Sequence, residues 1–229
     1  MTRRGNTLLP VDGVAVLPSA GRARARHIPA AWQDIKRAMD VTIGGAALLL
    51  FSPVVLLAAA GIVVVSPGSP FFEQERVGKD RRTFKMYKLR TMVHGAHLRH
   101  DEMQKLNEVD GPVLKIRNDP RLHALGKFLR RTSIDELPNL INVLRGEMSL
   151  VGPRPPLPAE VAHYDELAMR RLTVKPGITC LWQVSGRSNV SFDEWMKLDN
   201  LYIETWSPLV DLRILVKTIP AVLRGEGAH

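Results

Sequence analysis

The feature that most restricts this chain is a run of 25 residues, Val41 to Val65, without a single charged side chain. A helix needs roughly 20 apolar residues to cross bilayer hydrocarbon, and a fully buried core helix of that length does not suit so small a domain. The run starts forty residues in, too far for a cleavable secretory signal. It is expected to be a membrane segment. Ser52-Pro53 falls near its middle, where proline removes a backbone donor and its ring clashes with the preceding turn. Both flanks are positive, with Arg22, Arg24, Arg26, Lys36 and Arg37 before the run and Arg76, Lys79, Arg81, Arg82, Lys85, Lys88 and Arg90 after it. Positive residues favour the cytoplasmic side. Together these features favour a re-entrant helix, broken at Ser52 and Pro53 with both ends inside, over one kinked spanning helix.

The remainder of the 229 residues carries enough apolar side chains, 45% over the whole chain, to bury a core. A single cysteine, Cys180, excludes a disulfide scaffold and a cysteine-based zinc site. The net charge of +9 points to anionic partners: nucleic acid, phosphorylated metabolites or acidic lipid. Aromatic residues are only 6%, and no recognition helix or aromatic interleaving is evident, so nucleic acid is not an expected partner. Three segments follow: a flexible basic arm over 1–30, the re-entrant membrane helix over 31–66, and a compact cytoplasmic domain over 67–229.

Within that domain, Phe71 to Met92 reads as two strands around Gly78-Lys79-Asp80, with alternation from Thr83 to Lys88. Asp119-Pro120 resembles a helix cap and first helical residue, followed by Leu122, Leu125 and Leu129 on one face. A second helix carries Leu137, Ile141 and Leu144 and ends near Gly146. Near the C-terminus, Leu212, Leu215, Val216, Ile219 and Val222 form an apolar stripe opposite Asp211, Arg213 and Lys217. That stripe packs on the core or lies in a bilayer interface. The expected fold class is mainly α with a small β-hairpin (α+β), with amphipathic interfacial helices.

Chemistry concentrates in Arg130-Arg131-Thr132-Ser133-Ile134-Asp135-Glu136-Leu137-Pro138. Ser133 and Glu136 have capping-box spacing, while Pro138 favours Asp135 as the cap. Either way both carboxylates sit at the positive end of a helix beside arginines, which should lower their pKa values. An ionised Asp there is a capping group, a nucleophile toward phosphorus or a Mg²⁺ ligand. In Gly152-Pro153-Arg154-Pro155-Pro156 the prolines restrict the backbone around a planar guanidinium that suits phosphate. An ordinary proline-rich turn is the plainer reading.

These residues in this order resemble the bacterial sugar transferase family, small monotopic polyprenyl-phosphate phosphoglycosyl transferases. The resemblance runs from about Lys36 to the C-terminus. It includes Lys36-Arg37 with Asp40, Ser52-Pro53, Lys88-Leu89-Arg90-Thr91-Met92, Arg130 to Pro138, Gly146 to Pro155, and Lys175-Pro176-Gly177-Ile178-Thr179. It implies transfer of a sugar 1-phosphate from a UDP-sugar to undecaprenyl phosphate with release of UMP, the first membrane step of exopolysaccharide, capsule, O-antigen or glycoconjugate assembly. It further implies Mg²⁺ held by Asp135, Asp135 as nucleophile forming a phosphosugar intermediate, and Glu136 assisting. Arg130, Arg154, Lys88 and Arg90 would bind phosphate, and Lys175, Gln183 and Arg187 would line the nucleotide or sugar pocket. The setting would be the cytoplasmic face of the bacterial inner membrane, among membrane lipid, and a homodimer is compatible with the family. Cys180 stands where the family usually has Gly. Val109-Asp110-Gly111-Pro112-Val113 resembles members that handle UDP-glucose or UDP-galactose.

Overall fold

A computed structural model describes residues 29–93, 95–96, 103, 107, 116, 119–185 and 191–224. The uncharged run lies in one helix, α1 (Ala30–Val65), of 36 residues. It is long and apolar enough to cross a membrane by length and composition, and only 11% of its most apolar stretch is buried in the protein. The expected break at Ser52-Pro53 is not a turn: the chain stays helical through both residues. Proline at 53 leaves the carbonyl of Leu49 without its backbone donor. The Ser52 hydroxyl supplies one at 2.9 Å, so the helix continues.

Both ends of α1 are tied to the same domain. Near its start, the Lys36 ammonium donates to Asp211 at 2.5 Å and to the Val151 carbonyl at 3.0 Å. Arg37 donates to the carbonyls of Val143 and Leu144, and the buried Asp40 accepts from Ser149 Oγ and the Leu150 N–H. Toward its end, Ala59 and Ile62 pack with Leu89 and Leu129, and the Arg90 guanidinium donates to the carbonyls of Ser66, Pro67 and Gly68. The opposite face is bare: Leu49, Leu50, Leu56, Leu57 and Val64 are between 66% and 84% exposed.

The expected hairpin is present. Strands β1 (Phe71–Val77) and β2 (Thr83–Leu89) pair antiparallel, Phe71 opposite Leu89, around a 3₁₀ turn at Lys79–Arg81. Helix α2 (Ala124–Arg131) begins later than the Asp119-Pro120 pattern suggests. Asp119 instead clasps Arg121 at 2.6–3.2 Å, and His123 Nδ1 caps the helix by accepting from the Gly126 N–H. A 3₁₀ helix (Ile134–Asn139) leads directly into α3 (Leu140–Arg145), which ends at Gly146 in the left-handed region. Glycine suits that position because it lacks the Cβ that opposes positive φ.

Strand β3 (Ser149–Val151) then pairs parallel with β4 (Gly177–Thr179), a second two-stranded sheet that three-residue strands give no alternation to reveal. Short helices α4 (Pro158–Val161) and α5 (Glu166–Met169) and a 3₁₀ turn (Arg170–Thr173) lie between them. Helix α6 (Leu181–Val184) precedes α7 (Phe192–Thr205) and α8 (Pro208–Arg224). The main core gathers Met86, Leu140, Val143, Met148, Val151, Tyr202, Trp206 and Ile214.

In α8 the two alternatives for the apolar stripe are divided: Leu212, Val216 and Ile219 face outward, while Leu215 packs against the main core. Asp211 is 2% exposed and accepts from Lys36, the Tyr202 hydroxyl and Trp206 Nε1.

Candidate active site

The 3₁₀ helix carrying Asp135 and Glu136 is launched by Ser133, whose φ of 57° is in the left-handed region. The Ser133 side chain makes no capping bond, and Glu136 does not reach back to it. The capping-box reading is therefore wrong. Asp135 is not the cap either; it lies inside the 3₁₀ turn and is 6% exposed. Glu136 instead accepts from Lys88 Nζ of β2 at 2.6 Å.

The two carboxylates diverge electrostatically. Burial pushes Asp135 up to about 6, reinforced by the Glu136 charge and opposed by Lys88 and Arg130. This corrects the expectation of a lowered value: loss of water outweighs the helix end, because a 3₁₀ helix of six residues carries little dipole. Glu136 also meets an upward push from burial, but the Lys88 ammonium, then Arg154 and Arg76, outweigh it and hold it below the usual carboxylate range.

Beside Glu136 opens a pocket. Lys88, Glu136 and Arg154 supply its charged edge, Met86, Met148 and Ile178 an apolar wall, and Asn139 and Gln183 two amides. Arg130 lies near Asp135, and its Nε donates to Thr91 Oγ1 at 3.1 Å.

The loop bearing Arg154 is held from outside itself. Prolines have no N–H to give, so its carbonyls need other donors. Arg171 donates to the Arg154 carbonyl at 2.8 Å, Arg76 to that of Pro155 at 2.9 Å, and the Val77 N–H to that of Pro156 at 2.9 Å. Glycines bring the neighbouring segment against it: a Cβ on Gly177 would lie 2.1 Å from the Gly152 nitrogen. The Gly177 N–H donates to the Pro153 carbonyl, and the Gly152 N–H to that of Thr179.

The sequence places Arg76 only in the positive flank after the apolar run and gives no sign of Arg171. Both are buried, and Arg171 sits 2.9 Å from Asp199 with each side chain 1% exposed. No local pattern separates a buried arginine from a surface one.

Among the expected site residues, Asp135, Glu136, Lys88, Arg130, Arg154 and Gln183 come together. Arg90 does not join them, because its guanidinium is spent on the carbonyls that follow α1. Lys175 Nζ points instead toward Gly146 and Arg37, and burial, followed by the Arg37 charge, lowers its pKa. Arg187 and Val109 to Val113 lie outside the described residues.

The bacterial sugar transferase family matches residues 31–225. The exopolysaccharide production protein ExoY of Rhizobium meliloti is 40% identical over 225 residues, covering 96% of this chain and 94% of that protein. The UDP-glucose:undecaprenyl-phosphate glucose-1-phosphate transferase of Caulobacter vibrioides is 41% identical, over 85% of this chain and 72% of its own length. The undecaprenyl-phosphate galactose phosphotransferase of Salmonella typhimurium is 39% identical over 85% of this chain, which spans 42% of that longer protein. The chain belongs to the bacterial sugar transferase family. It is a phosphoglycosyl transferase, as the ordered motifs suggested.

Proposed function

We propose that this protein transfers a sugar 1-phosphate from a UDP-sugar, UDP-glucose or UDP-galactose, to undecaprenyl phosphate and releases UMP. The observation that carries this reading is the Asp135–Glu136 dyad set among Lys88, Arg130 and Arg154, with Glu136, Lys88 and Arg154 lining a pocket. An Asp135 carboxylate oxygen attacks the β-phosphorus; the bond to the bridging oxygen breaks, and its electron pair leaves on UMP. An oxygen of the lipid phosphate then attacks the same phosphorus, and the Asp135 carboxylate departs. Arg154 and Lys88 offset phosphoryl charge and fix its position, which supplies much of the rate in such transfers. With a pKa of about 6, Asp135 is largely ionised at neutral pH while remaining more basic than an ordinary aspartate.

Mg²⁺ fits this donor set. The described residues hold no group of three or more metal-binding side chains, and Mg²⁺ commonly takes one or two carboxylates and completes its shell with substrate phosphate oxygens and water. Asp135 would hold it, and it would supply charge neutralisation at the diphosphate.

The membrane reading has similar support. Lys36 and Arg90 fasten opposite ends of α1 to one domain, which supports a reading with both ends on the domain's side. We read α1 as re-entrant from the cytoplasmic face of the inner membrane, with the bare stripe of α8 resting in the interface. A soluble nucleotide sugar and a lipid-bound acceptor then meet at the dyad. Purified protein incubated with Mg²⁺, undecaprenyl phosphate and a panel of UDP-sugars should release UMP with one or more of them. No UMP from any of them would end this proposal.

A further inference from the structure

Asn139 closes the 3₁₀ helix, three residues after Glu136. At three residues per turn, side chains at i and i+3 fall on one face, about 6 Å apart along the axis. Asn139 thus lies one turn along from the charged edge, on the same pocket. It is 2% exposed, and its Oδ1 is buried with no hydrogen-bond partner. Buried acceptors in folded proteins are nearly always met by protein, ordered water or a bound group, and this one borders the pocket.

Gln183 complements it. Its Oε1 accepts from the Cys180 thiol at 3.2 Å, and burial keeps that thiol protonated, hence a donor. The Gln183 oxygen is thereby engaged, which leaves its NH₂ to act as a donor. The pocket therefore offers one neutral acceptor and one neutral donor against the apolar wall of Met86, Met148 and Ile178.

We propose that Asn139, with Gln183, hydrogen-bonds ring hydroxyls of the sugar that follows the phosphate, and so determines which sugar the enzyme accepts. The inference rests on the UDP-sugar reading above. It also gives Cys180 a part, as the group that orients Gln183.

The test measures UMP release by wild type, Asn139→Leu and Gln183→Leu. The substrates are the preferred UDP-hexose and its 2-, 3-, 4- and 6-deoxy analogues. Wild type should lose about tenfold or more in kcat/KM with at least one deoxy analogue, as a site built to bind a hydroxyl does. Asn139→Leu should lose a similar factor with the parent sugar and little more with that analogue, mainly through KM. Equal kcat/KM for all deoxy analogues with wild type would overturn the proposal without any variant being needed. So would an Asn139→Leu enzyme that keeps the wild-type preference. Failure of wild type with every UDP-sugar would instead overturn the underlying functional reading, and this inference with it.

Discussion

Lys88 of β2 and Glu136 of the 3₁₀ helix meet at 2.6 Å, while the adjacent Asp135 is buried and has its pKa raised. Lys88 acts on both carboxylates, but it hydrogen-bonds Glu136, where Arg154 and Arg76 add to its effect. Glu136 is fixed as a charged partner, and Asp135 is left as the more basic of the two.

Asp135→Asn should abolish turnover and also stabilise the protein. Folding raises the Asp135 pKa from an unfolded value near 3.8 to about 6. Between those values the folded state holds more protons than the unfolded one, so this group lowers stability as pH rises through the window. Asparagine removes that penalty, worth on the order of 1–3 kcal/mol above pH 6. Normal UMP release by the variant would remove Asp135 from the chemistry. A lower Tm at pH 7.5 would contradict the burial argument.

The pH profile should follow the same group. Wild-type kcat/KM should fall with decreasing pH through about 6 as Asp135 gains its proton. Glu136, held low, should add no limb there. A rate that is flat from pH 7 down to 5 would show that Asp135 need not be ionised.

Arg154→Lys separates phosphate recognition from plain charge. A guanidinium clasps two phosphate oxygens where an ammonium offers one point charge. Loss of such a contact should cost roughly 1.5–3 kcal/mol, or about ten- to a hundredfold in kcat/KM, with little change in Tm. Wild-type kinetics in the lysine variant would return this loop to ordinary structure.

Arg171→Leu should be far more damaging to the fold. It strands Asp199 in a buried site and frees the Arg154 carbonyl. Removing one partner of a buried pair costs about 3–5 kcal/mol. Urea unfolding would measure it, and a change below about 1 kcal/mol, the level of an exposed pair, would mean that Asp199 finds another partner.

Membrane placement can be checked by labelling. Asp34→Cys and Ser69→Cys, each in a Cys180→Ser background, put thiols at exposed positions near either end of α1. Both should resist a membrane-impermeant thiol reagent applied from the periplasmic side. Labelling of one and not the other would make α1 a spanning helix.

The hairpin was legible because alternation over Thr83 to Lys88 and a Gly-Lys-Asp turn both act locally. The dyad and Arg154 were legible because adjacent acids beside arginines, and an arginine between prolines, are conspicuous in any context. What stayed hidden depends on distant partners. Helical periodicity sets Asp211 opposite the apolar stripe of α8 without saying that Lys36 lies against it. Arg90 was read as a phosphate ligand, yet carbonyls more than twenty positions earlier occupy it. Ser52-Pro53 was expected to break the helix, and one hydroxyl bond to Leu49 accommodates the proline instead.

The fastening of α1 also sets an order of assembly. Arg37 finds its acceptors only once residues 143 and 144 exist, Asp40 only after residue 150, and Lys36 its carboxylate partner only when Asp211 has emerged, 175 positions later. At about 5–20 residues per second of synthesis, that last interval is roughly 9–35 seconds. Until then Lys36 has at most the Val151 carbonyl and the Tyr202 hydroxyl as partners, and the apolar helix must be sheltered by lipid or by a chaperone. A nascent chain halted before α8 would therefore carry an unlatched α1, and proteolysis near residue 36 should report the moment at which the ribosome delivers Asp211.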